Sequence, residues 1–376
     1  MSFKPRATLP ETAFTLPARF YTDPAIFERE LDVFYRQMWV GVARADELPA
    51  PGAWITRRIA GDDIIIVRAG ESPEDVRAFY NVCRHRGTSL CTGDHGAFPG
   101  SIRCPYHAWT YNYEGRLIGA PHMDGSPGFR REDFPLNTVR AGVWDGFVFV
   151  ALSQAGPSLQ EHLGALPDKF RPWQMADLVR AHRVEYDIAA NWKLVVQNYN
   201  ECLHCPTLHP ALTKVSHYLS GENEPLRSTY MGGRMDLNEG ADTMSMDGTC
   251  ATRAPLPGLS AEDRRRVYFY SVFPNFMIAP HPDYVLTHTL WPQAHNRTRI
   301  VCEWLVHPAD SAKPDFDLSN AAAFWDLTNR QDWHVCELAQ AGISSRGYRP
   351  GPYSNREDLL YAWDRFVLDK LGESPT

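Results

Sequence analysis

Two cysteine–histidine pairs lie in the first third of the chain, Cys83-Arg84-His85 and Cys104-Pro105-Tyr106-His107, with eighteen residues between them. Two thiolates and two imidazoles suit either a tetrahedral zinc site or a [2Fe–2S] cluster in which one iron takes both cysteines and the other both histidines. Zinc sites usually pair cysteine with cysteine and histidine with histidine along the chain. Because each segment here supplies one of each, the pattern favours the cluster, and its histidine ligands suit an electron relay.

A second group of metal ligands is predicted at residues 198–209. Four residues separate His204 from His209, and Pro206 breaks any helix between them, so a helix end that turns into a loop can aim both imidazoles at one point. Two histidines and one carboxylate form the facial triad of non-haem iron(II) oxygenases. We favour Asp332 as the carboxylate. Spacing alone leaves three alternatives open: Asp326, Glu337 and Asp317.

Three further cysteines lie near these motifs. Cys91, between the two cluster segments, is predicted to be a buried thiol. Cys202 and Cys205 flank His204 and raise zinc as an alternative metal, but thiolate ligands would be unusual at an iron that activates O₂. We therefore predict that both are buried, neutral thiols.

Composition limits the class of protein. A chain of 376 residues suits two domains, and its net charge of −7 argues against a nucleic-acid partner. The first twenty residues hold three prolines and no continuous apolar segment, and no stretch approaches the roughly 18 apolar residues that cross a bilayer. We expect a cytoplasmic protein without membrane contact, whose cysteines are thiols or metal ligands.

The pattern of elements predicts an α+β protein in three parts. Residues 1–38 are predicted to form an N-terminal arm that packs with the catalytic domain, the third part at residues 156–376. Residues 39–155 contain short strand-like runs separated by glycine and proline, which predicts a small all-β domain with both cluster motifs in loops. Residues 156–376 predict a larger domain with an antiparallel sheet and helices at 159–170, 192–204 and 321–342.

The segments Cys83–Gly87 and Cys104–Tyr111 resemble the two cluster loops of Rieske non-haem iron oxygenase α subunits. They resemble less the Rieske proteins of cytochrome bc complexes, which are membrane-anchored and carry a disulfide between these loops. The resemblance covers nearly the whole chain and implies a helix-grip-type catalytic domain. It also implies a Rieske [2Fe–2S] cluster on Cys83, His85, Cys104 and His107, and a mononuclear iron(II) on His204, His209 and Asp332.

In that family an acidic residue three positions before the first iron histidine connects it to the second cluster histidine of a neighbouring chain. The corresponding residue here is Glu201, and its partner would be His107. A carboxylate between two imidazole N–H groups fixes both tautomers. The resemblance therefore assigns a catalytic role to Glu201 and implies a homo-oligomer, a trimer.

Ring-hydroxylating dioxygenases carry aspartate at this position. The glutamate, with its surrounding segment 198–205, resembles the branch that acts on quaternary ammonium compounds, and segments 276–291 and 344–354 resemble the glycine betaine and stachydrine (proline betaine) demethylases. This implies a monooxygenase that hydroxylates an N-methyl group with O₂ and releases formaldehyde. Electrons would come from a separate flavin and iron–sulfur NAD(P)H reductase, because this chain has no glycine fingerprint for flavin or nicotinamide.

A quaternary ammonium group has no N–H to donate, so its recognition relies on aromatic faces. The late strands offer six candidates: Tyr268, Tyr270, Phe273, Phe276, Tyr284 and Trp291. Two alternatives stay open: an aromatic-ring hydroxylase or O-demethylase of the same family, and a non-catalytic Rieske electron carrier. The His204–His209 pair and the length of the second domain argue against the carrier.

Overall fold

The computed structural model describes residues 8–227 and 229–374, and the chain divides into two compact units. One unit is Leu31–His162. The other joins the described residues up to Glu30 with those from Leu163 onward. From the sequence these two boundaries are predicted at residues 38 and 155. The helices are α1 (Arg19–Thr22), α2 (Pro24–Glu30), α3 (Leu159–Leu163), α4 (Leu166–Phe170), α5 (Trp192–Tyr199), α6 (Cys205–Leu208), α7 (Pro210–Val215), α8 (Pro308–Ser311), α9 (Ser319–Ile343) and α10 (Asp358–Leu371).

The unit Leu31–His162 is built from antiparallel strands. A seven-stranded sheet has the order β1-β10-β9-β4-β3-β2-β5, and a small sheet has the order β6-β7-β8. The strands are β1 (Val40–Arg44), β2 (Ala53–Ile59), β3 (Asp62–Arg68), β4 (Val76–Tyr80), β5 (His95–Ala97), β6 (Ile102–Arg103), β7 (Thr110–Tyr111), β8 (Leu117–Gly119), β9 (Thr138–Trp144) and β10 (Phe147–Ala151). The prediction of an all-β domain with both cysteine–histidine motifs in loops is confirmed.

The second unit contains one seven-stranded antiparallel sheet of order β11-β17-β16-β15-β14-β13-β12. Its strands are β11 (Val179–Ile188), β12 (Glu222–Glu224), β13 (Tyr230–Asp236), β14 (Arg266–Val272), β15 (Phe276–Pro280), β16 (Tyr284–Ala294) and β17 (Arg297–Val306). The long helix α9 packs on this sheet. Trp325 Nε1 on α9 donates to the Tyr284 hydroxyl at 2.7 Å, and His288 Nε2 lies 3.1 Å from Asn329 Oδ1. The expected α+β class is confirmed.

Two predicted helices end earlier than expected. The helix predicted at 159–170 is interrupted at Gly164, whose φ of +56° is a left-handed conformation that ends a helical run. The helix predicted at 192–204 ends at Tyr199, where the Asn200 side chain turns back and donates to the carbonyl of Val196 at 2.7 Å. This early end frees residues 200–204 to form a loop.

The N-terminal segment is attached to α5 by buried polar contacts. Glu30, fully buried, forms an ion pair with Lys193 Nζ at 2.6 Å and accepts a hydrogen bond from Trp192 Nε1 at 2.9 Å. Burial raises the pKa of Glu30 and lowers that of Lys193, and their mutual contact opposes both shifts. A buried pair of this kind is costly to break, so it holds the segment in one position. Among the described residues no helix is both long enough and apolar enough to cross a membrane.

Candidate metal centres

The two cluster loops have the same backbone hydrogen bonds. The Cys83 carbonyl accepts from Gly87 N at 3.0 Å, and Cys83 N donates to the Thr88 carbonyl at 2.8 Å. Cys104 repeats both contacts with Ala108 and Trp109, at 3.1 and 2.8 Å. Each turn closes through a residue with positive φ, +75° at Gly87 and +58° at Ala108. A Cβ at Gly87 would meet nothing within 4 Å, so glycine is favoured there by its positive φ and not by a lack of space.

The four predicted cluster ligands come together at these turns. The ring centroids of His85 and His107 are 4.7 Å apart, and the thiols of Cys83 and Cys104 are both buried and free of disulfides. His85 Nδ1 is buried and has no hydrogen-bond partner among the described residues. Two buried thiols beside an unpartnered imidazole nitrogen fit the ligand set of a Rieske cluster.

Polar and aromatic neighbours hold the loops in place. The buried Asn81 side chain accepts from the backbone N–H of Leu90 and Cys91 and donates to the Cys91 carbonyl, at 2.8–2.9 Å. The Tyr111 hydroxyl lies 3.4 Å from Cys83 Sγ, and the Trp109 ring stacks on His85 at 4.8 Å. Cys91 is a buried free thiol as predicted, and burial raises its pKa to about 12.

The second site joins residues that are more than 120 positions apart in sequence. Asp332 Oδ1 on α9 lies 2.9 Å from His209 Nε2 and 3.3 Å from His204 Nε2. Donor atoms of a six-coordinate first-row metal lie about 3 Å from one another, so two imidazoles and one carboxylate at this spacing fit a facial iron(II) triad. Asn198 Nδ2 donates to the same carboxylate oxygen at 3.1 Å.

The three alternative carboxylates have other partners. Asp326 accepts from the Tyr186 hydroxyl and from Arg330, each at 2.8 Å. Glu337 accepts from the backbone N–H of Ala189 at 2.9 Å, and Asp317 accepts from that of Ser319 at 2.8 Å. The geometry therefore supports Asp332.

The outer nitrogens of the two histidines have different partners. His204 Nδ1 contacts Glu201 Oε1, and the other oxygen of Glu201 accepts from the backbone N–H of Leu203. His209 Nδ1 lies 2.8 Å from Gln331 Oε1. An acceptor at Nδ1 places the proton there and leaves the Nε2 lone pair for a metal. The sequence predicts Glu201 but not Gln331, although Gln331 directly precedes Asp332.

Charge in the site favours a cation. Burial lowers the pKa of His204, but hydrogen bonds with Asp332 and Glu201 outweigh burial and raise this pKa to about 10. Burial raises the pKa of Asp332, and the two histidines more than reverse that effect. In the metal-free chain His204 therefore carries a second proton, on Nε2, at neutral pH. A bound metal replaces that proton.

The predicted pair of neutral thiols at Cys202 and Cys205 is wrong in this structure. The two sulfur atoms form a disulfide, with their Cα atoms 5.0 Å apart. Cys202 lies in the loop after Tyr199, and Cys205 is the first residue of α6.

A cavity adjoins the triad. Its volume, including the opening to solvent, is about 870 Å³. Tyr199, Phe269 and Trp325 line it together with His204, His209 and Asp332. None of the six aromatic residues proposed from the sequence lines this cavity. Tyr268 and Tyr270 point to the opposite face of β14, where Phe170 packs edge-on against both rings at 5.8 and 5.3 Å.

Comparison with known proteins gives a family for each of the two parts of the chain. Residues 38–137 match the Rieske [2Fe–2S] domain family, and residues 175–373 match the catalytic domain of the ring hydroxylating alpha subunits. The first match contains all four predicted cluster ligands, and the second contains the histidine–aspartate site.

Several relatives align along much of the chain. The glycine betaine monooxygenase oxygenase subunit of Pseudomonas aeruginosa is 29% identical over 90% of this chain and 86% of its own length. The subunit of the same name from Chromohalobacter salexigens is 31% identical over 85% and 77%. The carnitine monooxygenase oxygenase subunit of Escherichia coli is 37% identical over 48% of each chain.

Solved structures have the same fold. The quaternary ammonium Rieske monooxygenase CntA, solved with L-carnitine, has a TM-score of 0.76 at 23% identity over 97% of this chain and 99% of its own. Naphthalene 1,2-dioxygenase from Rhodococcus has a TM-score of 0.74 at 19% identity over 94% of each. The chain therefore belongs to the α subunits of the Rieske non-haem iron oxygenases, with a [2Fe–2S] domain and a catalytic domain of the kind that binds a mononuclear iron.

Proposed function

We propose that the chain is the terminal oxygenase of an N-demethylating monooxygenase that acts on a small quaternary ammonium compound of the glycine betaine or proline betaine type. The relatives named for glycine betaine and carnitine support this substrate class. The observation that carries the proposal is the aromatic wall of the cavity beside the histidine–aspartate site.

Three aromatic rings form this wall. The Phe269 ring lies edge-on to Tyr199 at 6.0 Å and to Trp325 at 6.1 Å. In the sheet Phe269 pairs with Gly233, which lines the same cavity. Aromatic faces attract a cation that lacks N–H donors, and each such contact contributes about 0.5–2 kcal/mol.

The carboxylate of a betaine needs a cationic partner at the same cavity. Arg356 is among the lining residues and supplies a positive charge. Arg234 also lines the cavity, and its guanidinium pairs with Glu222 and Asp236, each at 2.6 Å. These two arginines are the candidates for the carboxylate contact.

When bound, iron(II) supplies the activation of O₂ toward a C–H bond, and the Rieske cluster supplies electrons. His204, His209 and Asp332 hold the metal, and Glu201 and Gln331 keep both imidazole protons on Nδ1. The aromatic wall places one N-methyl group toward the ligands. Substrate, O₂, two electrons and two protons give the N-hydroxymethyl compound and water, and that compound loses formaldehyde and a proton to leave the tertiary amine.

Glu201 and the electron source complete the proposal. Glu201 already contacts His204, and its carboxylate is the group proposed to reach His107 of a neighbouring copy in a trimer. Inter-subunit electron transfer is described for the quaternary ammonium Rieske monooxygenase of similar fold. A separate reductase delivers the electrons.

The test is single turnover with the purified, iron-loaded protein. The Rieske cluster is reduced with dithionite, O₂ and one betaine are added, and formaldehyde is measured. We expect formaldehyde with glycine betaine or proline betaine, and none with the D332A variant. Turnover of an arene without formaldehyde from any betaine would overturn the proposal in favour of ring hydroxylation.

A further inference from the structure

Two cysteines flank the first histidine of the candidate iron site. Cys202 and Cys205 form a disulfide around His204, and both line the cavity beside the triad. Cys205 is 3% exposed, whereas Cys202 is half-buried. The pair therefore lies where a small oxidant that enters the cavity can reach one of its sulfur atoms.

Cys205 also lies within reach of a metal held by the histidines. Its sulfur and one ring nitrogen each of His204 and His209 all lie within 4.8 Å of one another. Donor atoms of a tetrahedral zinc site are about 3.5 Å apart. Small movements of the three side chains are enough to bring their donor atoms to that distance. In the disulfide this sulfur is a poor ligand, because metals bind the thiolate.

We propose that Cys202 and Cys205 are a redox-active pair that selects between two ligand sets sharing His204 and His209. With the disulfide formed, the histidines are left to Asp332, which suits iron(II). With the pair reduced, Cys205 joins the histidines in a Cys-His₂ set, which suits zinc. The proposal rests on the proposed function only in taking His204 and His209 as metal ligands.

The redox step has a defined balance. Two thiols and one hydrogen peroxide give one disulfide and two waters: the O–O bond breaks, the S–S bond forms, and two electrons pass from sulfur to oxygen. A small dithiol reverses the step by exchange and is itself oxidised to a disulfide.

The experiment compares C202S with C205S, which both lack the disulfide but differ in the thiol that remains. The full-length protein keeps its cluster, the mononuclear metal is removed with a mild chelator, and zinc alone is titrated against a chelating dye. Reduced and peroxide-oxidised wild-type protein are measured beside the variants. Mass spectrometry after alkylation gives the state of each cysteine.

We expect C202S and reduced wild type to bind zinc at least about tenfold more tightly than C205S and oxidised wild type, since loss of a hydrogen-bonding partner of a ligand alone costs about 10- to 100-fold. Cobalt(II) in place of zinc should give a thiolate charge-transfer band in the first two only. Equal zinc affinity in C202S and C205S would overturn the proposal, as would a disulfide that neither peroxide nor dithiol changes. Neither readout uses a substrate, so a failure of the proposed demethylation gives a separate result.

Discussion

Single side chains set the chemistry that each metal-binding group can perform. His204 and His209 both point Nε2 at Asp332, but a carboxylate contacts the outer nitrogen of His204 and a neutral amide contacts that of His209. A carboxylate partner makes an imidazole more basic than an amide does. The two histidines are therefore unequal ligands, and Gln331 is a positioning residue for the more deeply buried one.

Replacing Gln331 by leucine should weaken the mononuclear site and leave the Rieske cluster intact. The leucine removes the acceptor for His209 Nδ1, so we expect iron(II) affinity to fall about 10- to 100-fold. Iron titration and the electron paramagnetic resonance spectrum of the ferrous–nitric oxide adduct measure this effect. The conservative Q331E variant, which keeps an acceptor, should retain iron. Equal loss of iron in both variants would show that the amide does not act through His209.

Replacing Phe269 by leucine should weaken substrate binding with little change in kcat. The substitution keeps an apolar side chain but removes the aromatic face, so KM should rise about 5- to 30-fold, corresponding to roughly 1–2 kcal/mol. Inhibition by 3,3-dimethylbutanoate, in which carbon replaces the cationic nitrogen, is the control and should change little. A similar loss of affinity for the betaine and for 3,3-dimethylbutanoate would indicate a change in the shape of the cavity and not the loss of a cation contact.

Three helices determine where these side chains meet. Helix α9 carries Gln331 and Asp332, and it is anchored to the sheet through Trp325 and Asn329. Helix α5 ends just before the loop that carries His204, and α10 braces α5 because Asp364 accepts from Gln197 Nε2 at 2.7 Å. Burial is the main reason that the pKa of Asp364 is raised, to about 7.

This brace predicts a pH dependence of stability. The folded state raises the pKa of Asp364 from 3.8 to about 7. The contribution of this group to the free energy of unfolding is therefore fully present below pH 3.8 and is lost as the pH rises to 7. Nearby Lys193 and the hydroxyl of Tyr353 oppose this shift without reversing it.

The D364N variant should flatten the fall in Tm between pH 4 and 7 relative to the wild type. The matched control is D369N, at an exposed position of the same helix. Parallel Tm profiles for the wild type and D364N would show that Asp364 does not titrate in this range.

At the scale of the whole molecule, the two ligand sets lie in different compact units. The four cluster ligands belong to the unit Leu31–His162, and the histidine–aspartate site belongs to the other. Each set is complete within its own unit. Loss of one metal centre should therefore leave the other in place.

Iron content should follow this division. We expect three irons and two acid-labile sulfides per chain in the wild type, one iron and no sulfide in C104S, and two irons with two sulfides in D332A. Chemical analysis of iron and sulfide measures all three, and the visible spectrum of the cluster is the control. A C104S protein that also lacks the single iron would show that the mononuclear site depends on the cluster.

The sequence by itself determined the ligand types and the cluster loops, because Cys83, His85, Cys104 and His107 lie within two short turns that local hydrogen bonds close. It also placed His204 and His209 close together, since only the four residues of α6 separate them. Such contacts depend on neighbours along the chain, so motif and spacing predict them.

Tertiary structure decided what depends on distant packing. Only the packing of α9 on the sheet shows that Asp332, and not a neighbouring carboxylate, meets both histidines, and that Gln331 accompanies it. Alternation along β14 predicts two faces but not which one meets the cavity, so the sequence favoured Tyr268 and Tyr270 where the structure places Phe269. The Cys202–Cys205 disulfide is likewise seen only in the structure, because the spacing of two cysteines does not show whether their sulfur atoms are bonded.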